Sequence, residues 1–481
     1  MGILHQFHAT VAASYGMLLC GLLYVWPSYT ASHYTDRNTT VLSAPMTDVE
    51  VSLIGSLPSL GAMIGTCLSG NILGIFGRHK GGLVVMLPFL LSWVMIDLTS
   101  SSLVIMIARF VAGFSCGAVL LFGPIFISEI AEESIRGSLA SGPVVTYTLG
   151  VLLSYLFGWL LSYRYVIWAN IAICCIGLLI QMMVTESPIW LVRQKREADA
   201  RLAFAHYRGL SPGSKIVLEE ISRLRAQIIP AVELASINSG TTKAEESEKE
   251  KLKVDEEVAE VQKNVSTLKM LFISPSNRRA FIATGLTLSL QVMMGMIVVQ
   301  VYAKEIFSNA VPGLSPHLCS VMLACVLLFG SITSASFSDR FGRRILLMVS
   351  SIAVVVSLVC MGLLIQTSLL PPWMTAVLIL VYCYMFMCGT GSVPYVLLAE
   401  TFVPEIQSLA SVLLIELVWL LNFVLLAIFP FLVKYFGVHG SFYCFAVFGV
   451  FDILVAIFLL PETKGLTNDQ IQEAFLNRRK I

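Results

Sequence analysis

The chain has 481 residues, of which 57% are hydrophobic and only 13% are charged, whereas a soluble domain carries about 25% charged residues. Nearly charge-free stretches of about 20 residues recur along it, each long enough to cross a bilayer. The composition therefore excludes an ordinary soluble domain and predicts an all-α polytopic membrane protein. The net charge of +1 argues against a nucleic-acid partner.

Twelve membrane spans are predicted, in two groups of six separated by a polar stretch. The first six are 9–28, 51–76, 82–99, 102–128, 138–162 and 165–184, and the other six are 279–303, 317–337, 345–367, 372–399, 408–433 and 439–460. This pattern predicts an N-terminal half (1–185), a cytoplasmic linker (186–278), a C-terminal half (279–461) and a cytoplasmic tail (462–481). Within the linker, 195–207 and 217–225 are expected to be short helices, and 239–265 a charged, flexible segment.

A charged signature occurs once in each group of spans. Arg78 recurs as Arg343, Glu129 as Glu400 and Glu186 as Glu462, at separations of 265, 271 and 276 residues. Three signatures in the same order at nearly one separation indicate a duplicated six-span unit. The duplication independently predicts the division of the chain at the linker.

The distribution of lysine and arginine predicts the orientation. Basic residues are concentrated in the loops that share a side with both termini, so both termini are expected to be cytoplasmic. Asn38, in the sequence Asn38-Thr39-Thr40 of the first outer loop, is then a candidate glycosylation site. A plasma-membrane location is expected.

No catalytic or cofactor site is predicted. The 11 cysteines lie mostly inside apolar runs, with spacing that suggests neither a zinc site nor a disulfide framework. No Ser/His/Asp set, metal cluster or phosphate loop is recognisable. We therefore expect no enzyme activity, cofactor or metal; nothing in the sequence indicates an oligomeric state.

The motifs resemble those of the sugar porters of the major facilitator superfamily, and in particular the insect facilitated trehalose and hexose transporters. They are Arg109 with Gly113 and Gly117, the run 124–129 followed by Arg136-Gly137, the run 186–191, the run 339–344, Pro394 with Glu400, and the run 461–465. The resemblance covers the chain outside the central linker. It implies a twelve-helix fold and the binding of a small neutral solute within the bilayer.

The charged residues are interpreted as a gate at the cytoplasmic ends of the helices. In this interpretation arginines bridge to carboxylates at neighbouring helix ends, and the network breaks when the two halves rock about one central site. The proposed gate residues are Arg78, Glu129, Arg136, Glu186, Asp339, Arg343, Arg344, Glu400 and Glu462. The alternative is that these charges only fix the topology.

The gate departs from the family pattern at three positions. Gly74 stands where the family usually has an aspartate, and Ile189 and Gln407 each replace an arginine. Fewer ion pairs predict a looser cytoplasmic gate, or one held by packing.

The resemblance also suggests a substrate site in the second half. Gln291 and Gly295 share a predicted helical face with Val298 and Tyr302, and the run 389–394 interrupts span 10, freeing backbone groups to line a cavity. The substrate-binding candidates are Gln291, Gly295, Tyr395, Trp419 and Asn422. Alternatively, the amides of Gln291 and Asn422 form hydrogen bonds between helices. The aromatic residues Tyr395 and Trp419 are alternatively part of the core.

Apolar side chains replace polar ones that related glucose-binding sites use. They are Val144, Val292, Ile297, Leu327 and Met387. If each lost contact is worth a net of about 0.5–1.5 kcal/mol, affinity for a hexose falls by orders of magnitude. Glucose itself is therefore not the expected substrate.

The acidic residues bear on energy coupling. Proton-coupled relatives carry an acid in the first span, and residues 9–35 contain none, which favours downhill transport. Glu416 and Asp452 lie within predicted spans and are candidates for function or for structural pairing.

The sequence therefore predicts a facilitative transporter of a sugar or similar uncharged polyol that works by alternating access. The alternative is a transporter-like nutrient sensor, or a carrier of a less polar solute, that no longer moves hexoses.

Overall fold

The computed structural model of the protein describes residues 2–36, 41–132, 135, 139–228, 267–311, 313–367, 370–466 and 468–477. Every regular element in this part of the chain is helical. The first half and linker contain α1 (Gly2–Thr35), α2 (Asp48–Leu98), α3 (Ser102–Ile130), α4 (Gly142–Leu160), α5 (Tyr163–Met182), α6 (Pro188–Arg193), α7 (Glu197–Arg208) and α8 (Lys215–Ile228). Then follow α9 (Thr267–Ile273), α10 (Pro275–Met293), α11 (Met296–Val301), α12 (Ala303–Ala310), α13 (Pro316–Phe341), α14 (Arg343–Thr367), α15 (Pro372–Met385), α16 (Val393–Glu400), α17 (Pro404–Phe458) and α18 (Asn468–Asn477).

The twelve predicted spans are confirmed, although two pairs of spans form continuous helices. Ten helical segments among the described residues are long and apolar enough to cross a membrane. Two of them, α2 and α17, are 51 and 55 residues long, and each contains one glycine with a left-handed backbone, Gly77 (φ 82°) and Gly437 (φ 71°). Because a residue with this backbone interrupts the helix, α2 comprises spans 2 and 3, and α17 comprises spans 11 and 12.

Spans 7 and 10 are broken in their middle. Span 7 consists of α10 and α11, separated at Gly295, whose φ is 84°. Span 10 consists of α15, a π-helical turn over Phe386–Thr390, and α16. The predicted interruption of span 10 is therefore observed. The predicted continuous face from Gln291 to Tyr302 is wrong, because the left-handed backbone of Gly295 separates the two parts of span 7.

One end of the bundle, called the linker face, carries the starts of α1 and α14 and the helices of the linker. The predicted linker helices are observed as α7 and α8, within a few residues of their expected bounds. The side chain of Gln6 ties α7 to α1: its Nε2 donates to the Tyr207 carbonyl and its Oε1 accepts from the Glu132 backbone N–H, both at 2.9 Å. At the C-terminal end α18 packs similarly on α10, where Ile471 and Phe475 are buried.

The other end of the bundle, called the opposite face, carries the end of α1 and the start of α2. Here the two halves touch directly. The Lys304 N–H donates to Ser28 Oγ at 3.0 Å, and Ser52 Oγ donates to the Ala427 carbonyl at 2.9 Å. The halves are therefore closed against each other at the opposite face.

Candidate functional site

The first charged cluster joins Arg78, Glu129 and Glu186 at the linker face. The Arg78 guanidinium donates to both carboxylate oxygens of Glu129, at 2.9 and 2.6 Å. The Glu186 carboxylate accepts from the backbone N–H groups of Arg78 (2.6 Å) and His79 (3.1 Å). These N–H groups are available because they begin a new helix after the kink at Gly77, where a negative charge is favourable.

The second half repeats this arrangement. The Arg343 guanidinium donates to Glu400 at 2.9 Å, and the Glu462 carboxylate accepts from the N–H groups of Arg343 (2.8 Å) and Arg344 (3.1 Å). Gly342, with φ 90°, takes the place of Gly77. The duplication in sequence thus corresponds to two structurally equivalent clusters, each built within one half.

Three predicted gate residues do not form such an ion pair among the described residues. Arg344 donates to the carbonyls of Ala456 (3.0 Å) and Ile457 (2.9 Å) rather than to a side-chain carboxylate. Arg136, and also the glycosylation candidate Asn38, lie outside the described residues, as does the side chain of Asp339. A gating role for the set stays a prediction.

Gln291 lies where the two broken spans meet. Its side chain is buried, and Nε2 donates to the Gly391 carbonyl at 3.3 Å, directly after the π-helical turn. Within the described part of the chain, Gln291 Oε1 is buried without a hydrogen-bond partner. Such an atom is costly unless a ligand or water satisfies it. Tyr395, one turn after Gly391, has a side chain that is 37% exposed.

Gly295 interrupts the helix of span 7 with its left-handed backbone. A Cβ atom placed there would come within 2.5 Å of the Phe445 ring. Gly295 therefore serves close packing and the break in span 7, and its assignment to the substrate site stays a prediction without a contact that supports it.

Trp419 connects the halves in the middle of the bundle. Its Nε1 donates to Thr66 Oγ1 at 3.0 Å, and its ring stacks on Tyr24 with an interplanar angle of 4°. Both partners belong to the first half. Asn422, nearly one turn further along α17, is mostly buried. The interface between the halves therefore contains Trp419, one of the predicted site residues.

Gln300 is the centre of a polar contact that the sequence did not predict. Tyr147 Oη donates to Gln300 Oε1 at 2.7 Å, and Tyr155 Oη donates to the Gln300 carbonyl at 2.5 Å. The two tyrosines are eight residues apart on one face of α4, and Gln300 is a polar residue in an apolar run. Two tyrosines on one helix face and a glutamine in an apolar run indicate a polar contact within the membrane. Only the fold shows that span 5 meets span 7 of the other half.

The intramembrane charged residues are held by specific partners. Cys67 Sγ donates to Glu416 Oε1 at 3.2 Å across the interface, and Asp452 is hydrogen-bonded to Ser351 at 2.7 Å. Arg109 donates to the carbonyls of Ile54 (3.0 Å) and Leu23 (2.6 Å). Each acid therefore has a partner on a neighbouring helix.

The family described as "Sugar (and other) transporter" matches residues 7–475. The chain belongs to this family. The relatives include the facilitated trehalose transporter Tret1 of Polypedilum vanderplanki, 26% identical over 98% of this chain and 88% of that protein. Another is the Tret1 of Drosophila grimshawi, also 26% identical over 98% of this chain but only 48% of that protein. The chain thus spans about half the length of some of the curated relatives it matches.

Solved structures show the same fold. The partially occluded inward-open form of the xylose transporter XylE of E. coli aligns with a TM-score of 0.74 and 21% identity, covering 96% of this chain and 99% of that chain. Another XylE structure, a proton:xylose symporter bound to 6-bromo-6-deoxy-D-glucose, aligns with a TM-score of 0.72. The protein is therefore a multi-pass membrane protein with the major facilitator fold, as the sequence motifs predicted.

Proposed function

We propose that this member of the family is a facilitative transporter of a neutral sugar or polyol, rather than an enzyme, and that it works by alternating access. The observation that carries the proposal is the pair of equivalent charged clusters on two halves that meet at the opposite face and in the middle. Each cluster, built around Arg78 or Arg343, makes its half rigid at the linker face. Two rigid bodies with one contact surface can rock about a central site.

Orientation follows from the loop charges. With the linker face in the cytoplasm, as the basic loops favour, the halves are closed against each other on the outside. The plasma membrane is the proposed location. Arg109 supports downhill transport, because carbonyl oxygens of the first two spans hold it in place of a carboxylate on span 1.

The proposed substrate contacts are Gln291, Tyr395, Trp419 and Asn422. The unsatisfied Oε1 of Gln291 offers an acceptor to a sugar hydroxyl. Aromatic rings suit the C–H faces of a sugar. Since the insect relatives carry trehalose in their names, trehalose is the first solute to test.

The test is uptake of radiolabelled trehalose, glucose, fructose and polyols into proteoliposomes, with and without a proton gradient. We expect saturable uptake of at least one solute that is independent of the gradient. Gln291→Ala should raise KM about fivefold, because it removes a buried hydrogen-bonding group worth about 1 kcal/mol. Gln407→Ala, which removes an exposed amide bonded to the Ala399 carbonyl, is the control and should change KM little.

Absence of flux for every solute would overturn the proposal, and unchanged kinetics in Gln291→Ala would overturn the site. A second candidate function, carriage of a less polar solute, is favoured by Val144, whose apolar side chain is 42% exposed where related sites present an amide. Uptake of apolar alcohols but not of sugars would select it.

A further inference from the structure

Asp452 on span 12 is a buried acid with no assigned role. Its side chain is fully buried within the protein, and Oδ2 lies 2.7 Å from Ser351 Oγ on span 9. Oδ1 has no hydrogen-bond partner in the described part of the chain. Arg344, at the start of the same span 9, is about 10 Å along the helix from Ser351 and donates to the carbonyls of Ala456 and Ile457 instead.

The contact with Ser351 is the first of an unbranched series. Ser351 Oγ lies 3.2 Å from Thr390 Oγ1, Thr390 Oγ1 lies 3.0 Å from Ser350 Oγ, and Ser350 Oγ donates to the Leu347 carbonyl at 2.9 Å. Thr390 is the last residue of the π-helical turn of span 10. The series therefore connects span 12 through span 9 to the break in span 10.

The series has four contacts, and each needs one hydrogen atom. The hydroxyl groups of Ser350, Ser351 and Thr390 supply three. An ionised carboxylate supplies none, so one contact would bring two oxygen atoms together without a hydrogen. An ionised Asp452 would also leave Oδ1 charged and unpaired in a dry interior, which is costly.

We propose that Asp452 carries a proton and donates it to Ser351, so that the hydrogen bonds run from Asp452 through Ser351, Thr390 and Ser350 to the Leu347 carbonyl. Each of the four contacts then contains one hydrogen atom, and all four hydrogen bonds point the same way along the series. Asp452 is thus a positioning residue: it fixes Thr390 and, through it, the backbone of the following residue, Gly391, to which Gln291 donates.

The effect on transport rests on the proposed function, but the proton on Asp452 does not. The first experiment is therefore the infrared spectrum of the purified protein at neutral pH, with Asp452→Asn subtracted. We expect the carbonyl band of a protonated carboxylic acid. Carboxylate bands in its place would overturn the proposal, whether or not the protein moves a sugar.

The second experiment measures KM and maximal rate for the transported solute. Asp452→Asn should keep KM within about twofold, because its amide N–H supplies the fourth hydrogen. Asp452→Ala and Thr390→Val should each raise KM about tenfold, the effect of losing about one buried hydrogen bond, with a smaller change in maximal rate. The double variant should be no worse than either single one, since both remove the same series.

Ser357→Ala is the matched control, because it deletes a buried hydroxyl of span 9 that donates only within its own helix, to the Ala353 carbonyl. It should leave KM unchanged, and melting temperatures should show that every variant is folded. An asparagine variant as impaired as the alanine variant would overturn the positioning role. If wild type moves no solute, the proposed function fails, and the infrared band still decides the state of Asp452.

Discussion

At the scale of single residues, the two arginine–glutamate pairs are equivalent in position but not in environment. The side chains of Arg78 and Glu129 are 7% and 8% exposed, whereas those of Arg343 and Glu400 are 14% and 30% exposed. Removing one partner of a buried pair leaves an uncompensated charge, and water screens this effect in the more exposed pair.

We therefore expect Glu129→Gln to lower the free energy of unfolding by about 3 kcal/mol and Glu400→Gln by about 1 kcal/mol. The measurement is thermal or denaturant unfolding of both variants in the same detergent. Each variant is the control for the other, because the same substitution is made at equivalent positions of the two halves. Equal losses would show that burial does not set the strength of these pairs.

At the scale of elements, Gly295 decides the shape of span 7. Gly295→Ala combines a left-handed backbone, unfavourable for a residue with a Cβ, with a contact of 2.5 Å to the Phe445 ring. Gly313→Ala carries a similar backbone (φ 97°), but nothing lies within 4 Å of its Cβ.

We expect Gly313→Ala to cost about 1 kcal/mol and Gly295→Ala about 1–3 kcal/mol more, from overpacking. The measurement is the melting temperature of both glycine variants and of the double variant Gly295→Ala, Phe445→Leu. It separates the cost of the left-handed backbone from the cost of overpacking. The second substitution should recover part of the loss. Equal melting temperatures for the two glycine variants would contradict the packing argument.

The linker helix α7 contacts α1 through a pair of histidine rings. The rings of His206 and His5 lie 4.1 Å apart, and burial, then the proximity of His5 and His8, lowers the pKa of His206. A lowered histidine pKa means that docking favours the neutral ring. Docking is therefore most stable above about pH 6.5, the ordinary histidine pKa, and weakens as the pH falls below it.

Hydrogen exchange of residues 197–208, corrected for the intrinsic pH dependence of exchange, should accelerate below that pH. His206→Gln should remove the acceleration, because its amide does not titrate. The hydrogen bonds that Gln6 makes to Tyr207 and Glu132 remain in both proteins. An equal acceleration in the variant would assign the effect to another group.

At the scale of the whole molecule, transport by rocking requires the contacts between halves to break. Thr148 Oγ1 on span 5 lies 3.2 Å from Ser331 Oγ on span 8, so cysteines at both positions are close enough for a disulfide. Thr284 Oγ1 and Thr401 Oγ1 lie 3.4 Å apart within the second half and form a matched pair that rocking leaves unchanged.

Oxidation of the Thr148→Cys, Ser331→Cys protein should abolish most uptake, and a reducing agent should restore it. The Thr284→Cys, Thr401→Cys protein should keep its uptake after oxidation, and single-cysteine variants control for the native cysteines. Uptake that survives a complete cross-link between the halves would contradict alternating access by rocking.

The sequence by itself determined the twelve spans and the charged signature that occurs once in each group of six. The spans are visible because each is a run of apolar residues long enough to cross a bilayer. The charged signature is visible because the same residues recur in the same order in the second half. The linker helices were predicted from their own local pattern, within a few residues of the observed bounds.

Only the tertiary structure decided which polar groups meet. Ser351 and Asp452 are 101 residues apart in sequence, and Tyr147 and Gln300 are 153 apart, so no periodicity connects them. The break at Gly295 was missed because a glycine in an apolar run is compatible with a continuous helix. In the fold the Phe445 ring packs within 2.5 Å of where a Cβ of Gly295 would lie, and a contact between two distant segments cannot be read from either segment alone.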